Sequence, residues 1–132
     1  LQSMELVMPP VLLVFLGGGA GAVARYGSGL LATRWLGATW PYGTLGVNLI
    51  GAFLIGLIVQ VLALKFSAPE PLRLLLVTGF LGGYTTFSAF ALETTAMLQR
   101  GEVAPAALYV ALSVFGTVAL VLLGQWLGQM AA

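Results

Sequence analysis

The sequence predicts an all-α integral membrane protein of four transmembrane helices, the third of them broken mid-membrane. Three observations lead there. Of 132 residues, only 7% are charged and 60% are hydrophobic, whereas a soluble domain carries about 25% charge. Charge-free stretches run Leu6–Ala24, Trp35–Leu64, Leu74–Leu92 and Val103–Ala132, the two shortest being nineteen residues each, close to the roughly 20 residues of a spanning helix. Inside the third stretch sits a polar knot, Gly82-Gly83-Tyr84-Thr85-Thr86-Phe87-Ser88, flanked by the apolar runs LLLVTGFL and AFAL.

Residues 1–9 read as an N-terminal tail, and one transmembrane domain fills 10–128. Span 1 is expected over about residues 10–32. It is too long and Gly-rich for a signal peptide, and no cleavage pattern accompanies Arg25. Its Gly17-x-x-x-Gly21 and Gly18-x-x-x-Ala22 pairs are small-residue faces for close helix packing. Trp35 and Trp40 suit a membrane interface. Pro41 is placed to start span 2, over about 41–64. Lys65 to Pro71, with two prolines and a glutamate, reads as a loop. Span 3, over about 72–98, is expected to break at Gly82–Thr86. Adjacent glycines weaken a helix, and Thr and Ser hydroxyls can satisfy the freed backbone. Gln99 to Glu102 is a polar turn, span 4 covers about 105–127, and 129–132 reads as a C-terminal tail.

These features exclude several classes of function. Four spans leave no room for a soluble catalytic domain, so an enzyme is not expected. With no Cys and no His, disulfides, thiolate chemistry and histidine metal sites are absent. The four acids Glu5, Glu70, Glu93 and Glu102 are dispersed, and a net charge of +1 carries no nucleic-acid signal.

Loops 1–2 and 3–4 share one membrane side, with Arg34 and Arg100, and Arg25 if it reaches the surface; the other side has Lys65 and Arg73. Orientation follows Lys/Arg asymmetry, which here is nearly nil. One reading is a chain oriented by weak cues. The sharper one is dual topology, in which two copies pair antiparallel as a homodimer with its two-fold axis in the membrane plane. Such pairing would supply the inverted symmetry common in transporters.

Several constellations bear on chemistry. A broken helix often marks an ion or substrate site, and the knot offers carbonyls and hydroxyls without a nearby acid. Neutral oxygens of that kind favour a monovalent cation; a kink relieved by packing is the plainer alternative. In span 2, Thr44, Asn48, Gly51 and Ile55 share a face. Asn48 is either a helix–helix clamp or a donor to a passing anion. In span 4, Tyr109, Ser113 and Thr117 form a stripe that either bonds back to its own helix or lines a path. Phe87 and Phe90 lie on one face of span 3, with Glu93 and Thr94 beyond them. They read as core, or as ring edges whose positive rim can approach an anion. Glu93 reads as an exposed or hydrogen-bonded carboxylate near the interface. Arg25, an ionisable residue inside a span, either attracts anions to a vestibule or snorkels to the interface.

Three motifs add a resemblance. Gly18-x-x-Gly21-Ala22-x-x-Arg25-Tyr26, Gly43-Thr44-Leu45-x-Val47-Asn48-x-x-Gly51-x-Phe53-x-x-Gly56 and Gly79-Phe80-x-Gly82-Gly83-x-Thr85-Thr86-Phe87-Ser88-x-Phe90 together resemble the Fluc/CrcB fluoride channels. The Tyr109/Ser113 pair fits as well, and Ala89 departs from the small hydroxyl residue of many relatives. The resemblance implies a dual-topology antiparallel homodimer with two pores in a bacterial inner (plasma) membrane, exporting fluoride passively and so conferring fluoride resistance. It implies that Asn48, Phe87, Phe90, Tyr109 and Ser113 line the pore, with Thr44 nearby. It also implies a structural sodium ion held by the Gly82 and Thr85 carbonyls of both subunits. The alternative is a small multidrug-resistance-type proton-coupled exporter, which resembles this chain in span count but carries a glutamate in helix 1, where this chain has Arg25 and no acid.

Overall fold

A computed structural model describes residues 8–65 and 70–131, without the Lys65 side chain. The expectations for residues 1–7, the Lys65 charge and the loop 66–69 lie outside this range. The protein is all-helical, and four stretches are long and apolar enough to cross a membrane: Pro10–Leu36, Tyr42–Leu64, Glu70–Gln99 and Val103–Ala131. It is a multi-pass membrane protein.

Helix α1 (Pro10–Leu36) opens with a proline in its first turn, where the missing N–H removes no helical bond. It ends at Gly37, whose φ of 86° is open to glycine at little steric cost. Helix α2 (Tyr42–Lys65) follows Pro41, whose carbonyl accepts from Leu45 N. The third span is composite. A single turn, α3 (Glu70–Arg73), leads into a π-helical stretch, Leu74–Leu81, and then a short turn, α4 (Gly82–Tyr84). Thr85 and Thr86 are extended, at φ −90°, ψ 157° and φ −152°, ψ 117°. The hydroxyl of Thr86 accepts from Ala89 N and caps α5 (Phe87–Gln99). A turn through Gly101, at φ 77°, leads to α6 (Val103–Ala131).

Three expectations need correction. Spans 1 and 4 are each longer than expected. The apolar run through Trp35-Leu36 continues α1 until Gly37. Pro105 falls in the first turn of α6, where it is tolerated, and the helix runs on through the expected tail 129–132 as far as Ala131. Third, Gly82 and Gly83 are helical, and the extended residues are the two threonines after them. Gly83 is small for packing: a methyl group there would collide with the Gly18 carbonyl.

The helices pack in two close pairs. Span 1 lies on the first half of span 3 through facing glycines: a methyl at Gly17 would stand 2.5 Å from Leu75 O and 3.0 Å from Gly79 Cα. Span 2 lies on span 4, where Gly56 faces the Val121 backbone and Gly124 faces Phe53 and Leu57. Between lipid-soluble helices such close contact replaces the hydrophobic drive as the source of association. Where α2, α5 and α6 meet, Leu45, Phe90, Met97, Ala106 and Tyr109 form a buried cluster.

Candidate functional site: two cavities joined at Thr86

Two cavities meet at the extended segment. The wider, about 560 Å³, is walled by Arg25, Thr44, Thr86 and Glu93 among others. The second, about 490 Å³, is walled by Asn48, Thr86, Phe87, Phe90, Ser113 and Thr117, with apolar residues filling in. Thr86 belongs to both. The face of α2 that carries Thr44 and Asn48 thus serves one cavity with each residue.

Asn48 fixes this junction. Its Nδ2 donates to Thr86 O at 3.0 Å, and its Oδ1 accepts from Thr86 N at 2.8 Å. The amide therefore closes a two-bond clamp on one backbone unit, and one of its two N–H donors is left over. The adjacent Gly51 makes room for the Thr85 side chain, whose Cγ2 lies where a Cβ would stand. Thr85 Oγ1 donates back to Leu81 O at 2.9 Å.

The clamp changes the bonding of two carbonyls. In a continuous helix Thr86 N would bond Gly82 O, but here it goes to Asn48. Likewise Ala89 N would bond Thr85 O, but it goes to Thr86 Oγ1 at 3.1 Å. Gly82 O and Thr85 O thus lose their helical donors. Among the described residues no three His, Cys, Asp or Glu side chains group together. The donor set is neutral oxygen, which fits a monovalent cation better than a divalent one.

Glu93 is a hub that sequence reasoning left at the periphery. Thr44 Oγ1 donates to its Oε1 at 2.6 Å, and Tyr109 OH donates to its Oε2 at 3.0 Å. The carboxylate thereby ties α2, α5 and α6 together. The i, i+4 spacing of Thr44 and Asn48 was the available signal, since it places two polar groups toward the same neighbouring helix. Tyr109 lies outside both linings. It is 0% exposed and touches the wall of the wider cavity through Glu93 and Trp40.

Phe87 and Phe90 stack at 5.5 Å between ring centroids, and Phe90 leans on Tyr109 at 5.2 Å. Phe90 is buried, but Phe87 is 80% exposed although it walls the second cavity. Ser113 is buried there, and its hydroxyl has no hydrogen-bond partner among the described residues. Thr117 does bond back to its own helix, at 2.6 Å from Ser113 O. Arg25 lines the wider cavity, and its Nε donates to Gly83 O at 3.1 Å.

Comparison with known proteins gives the family of the chain. A family model described as "CrcB-like protein, Camphor Resistance (CrcB)" matches residues 12–125. A protein of Rhizobium johnstonii named fluoride-specific ion channel FluC is 47% identical over 117 residues, covering 89% of this chain and 94% of its own. The protein of the same name from Allorhizobium ampelinum is 48% identical over 124 residues, covering 91% of this chain and 99% of its own. One from Granulibacter bethesdensis is 48% identical over 116 residues, covering 88% and 91%. With a family match over most of its length and relatives this close, the chain belongs to the CrcB family.

Proposed function

We propose that this chain is a fluoride-selective channel, exporting fluoride by passive electrodiffusion through an antiparallel dual-topology homodimer with two pores. The name shared by relatives 47–48% identical to this chain, fluoride-specific ion channel, carries the choice of ion. The inner membrane of a bacterial cell is its proposed location, and nothing supports a proton-coupled exporter.

Fluoride is small and strongly hydrated. Moving an ion into a low-dielectric interior is prohibitive unless protein groups replace the water. The second cavity offers such groups. Asn48 has its remaining N–H, Ser113 has an unpartnered hydroxyl, and Phe87 and Phe90 present ring edges of positive potential. At the wall of the wider cavity Glu93 accepts hydrogen bonds from Thr44 and from the buried Tyr109. The route proposed runs from the wider cavity past Thr86 to the second. It holds no fixed positive charge in its narrow part, so binding stays weak enough for release.

A second copy accounts for two exposed features. Phe87 walls a cavity yet is 80% exposed, so a single chain leaves one wall of the path open. Gly82, whose carbonyl has lost its helical donor, is also on the chain's surface. An antiparallel partner would close the wall and bring its own Gly82 and Thr85 carbonyls beside these. The break in the third span would then lie at mid-membrane depth, and the four carbonyls would hold a sodium ion. When bound, that ion supplies a fixed positive charge that ties the two copies at their breaks.

The test is fluoride efflux from liposomes loaded with potassium fluoride, read by a fluoride-selective electrode, with chloride efflux alongside. Fluoride should leave at least about a hundredfold faster than chloride, a difference of about 2.7 kcal/mol in barrier. Phe87→Ile and Phe90→Ile keep bulk and remove the ring edge, so at least one should slow fluoride while the elution profile stays that of the parent. Equal leak of both anions, or none, rejects the channel reading.

A further inference from the structure

Arg25 is the only charged residue of the stretch Pro10–Thr33, and its placement is not that of a free charge. Its Nε–H donates at 3.1 Å to the carbonyl of Gly83, fifty-eight residues away. That carbonyl is open for a reason: the chain turns extended at Thr85 and Thr86, which carries the Phe87 amide away from its helical acceptor. In the apolar interior of a membrane such an orphan must be satisfied from elsewhere. Arg25 does so from α1. One residue on, Tyr84 OH shares a 3.0 Å hydrogen bond with Ser28 Oγ, also from α1. From the opposite side, α2 holds Thr86 through Asn48. The segment Gly83–Thr86 is thus gripped from both flanking spans, and Thr86 lines both cavities. No acid neutralises Arg25, since the one ion pair among the described residues joins Arg100 and Glu102.

We infer that Arg25 is a positioning residue for conduction, acting through its Nε–H on the Gly83 carbonyl rather than through its charge. The inference rests on the channel reading for its functional effect, and on geometry alone for the clamp. Side-chain chemistry separates donor from charge. In glutamine the amide nitrogen sits the same number of bonds from Cα as the arginine Nε, so Arg25→Gln keeps a donor in place and deletes the charge. In lysine a methylene occupies that place, so Arg25→Lys keeps the charge and shifts the N–H donors one bond further out, off the position from which Nε reaches the Gly83 carbonyl.

The experiment compares parent, Arg25→Gln and Arg25→Lys as full chains. It measures fluoride efflux from liposomes and amide hydrogen exchange, by mass spectrometry, over a peptide spanning Thr85–Ser88. The expected order is Gln within about threefold of the parent and Lys slower by about tenfold or more, the factor that corresponds to 1.4 kcal/mol. Exchange over Thr85–Ser88 should quicken in Lys and stay near the parent in Gln. If Lys conducts like the parent and Gln does not, charge is what matters and the inference falls. It falls equally if all three conduct alike, or if both variants lose flux with parent-like exchange. A parent that passes no fluoride rejects the channel reading instead, and the exchange order then decides the clamp by itself.

Discussion

Asn48 and Ser113 stand on the same cavity wall with opposite bonding, and this sets them apart in experiment. Asn48 bonds both polar groups of the Thr86 peptide. Asn48→Ala strands an N–H and a C=O in an apolar setting, at about 1–3 kcal/mol per group. Unfolding temperature and fluoride flux should fall together. Asn48→Asp keeps an acceptor for Thr86 N but, when ionised, repels an anion, so flux should fall further than stability. Ser113 Oγ bonds nothing among the described residues. Ser113→Ala should therefore leave thermal unfolding within about 1 kcal/mol of the parent or slightly improved, while fluoride efflux slows. A Ser113→Ala protein that conducts like the parent removes this hydroxyl from the path. An Asn48→Ala protein that conducts and unfolds like the parent removes the clamp.

At the scale of elements, the glycines of α1 are unequal although they crowd one short run. Gly19 faces open space, whereas a methyl at Gly21 would collide with the Phe80 carbonyl. Gly19→Ala should stabilise the helix by up to about 0.5–1 kcal/mol through lost chain freedom. Gly21→Ala forces α1 off the third span and should cost about 1–3 kcal/mol. Thermal unfolding followed by tryptophan fluorescence orders the two. Equal melting temperatures would mean that the α1 contact with Phe80 does not hold the fold. The clamp at Thr86 follows from this packing, because Asn48 and Arg25 reach one short segment only when spans 1, 2 and 3 are seated.

For the whole molecule, the structure sharpens the charge argument. With Arg25 bonded through its Nε to Gly83 and left out of the count, Arg34 and Arg100 stand against Lys65 and Arg73. The balance is then even, and Lys/Arg asymmetry is what orients a chain. A C-terminal tag probed from each side of the membrane should label two populations, and adding two or three lysines to one side should merge them into one and lower flux. A single orientation in more than about 95% of untouched chains would rule out insertion both ways. The proposed sodium ion has its own consequence. If it is held and does not move, replacing sodium on both sides with a bulky cation should slow fluoride flux only after the ion has left. A sodium current as large as the fluoride current would contradict a held ion.

The number of spans and the place of the polar knot were legible in the chain, because burial in lipid demands long charge-free runs whatever their neighbours. The motif run from Gly79 to Phe90 pointed to the family for the same local reason. Which spans pair was not legible. These helices are apolar over most of their surface, so the few polar and small-residue faces do not say which span meets which, and close glycine contacts join 1 with 3 and 2 with 4. Partners of the polar side chains were equally hidden. Asn48 read as clamp or donor, Glu93 as a residue near the interface, and Arg25 as snorkelling or vestibular. The structure gives each its partner: Asn48 lies level with the Thr86 backbone, Glu93 with Thr44 and Tyr109, and Arg25 with the carbonyl orphaned at Gly83. A sequence records which residues need a hydrogen bond in the membrane, but the register of one packed helix against the next determines which residue supplies it.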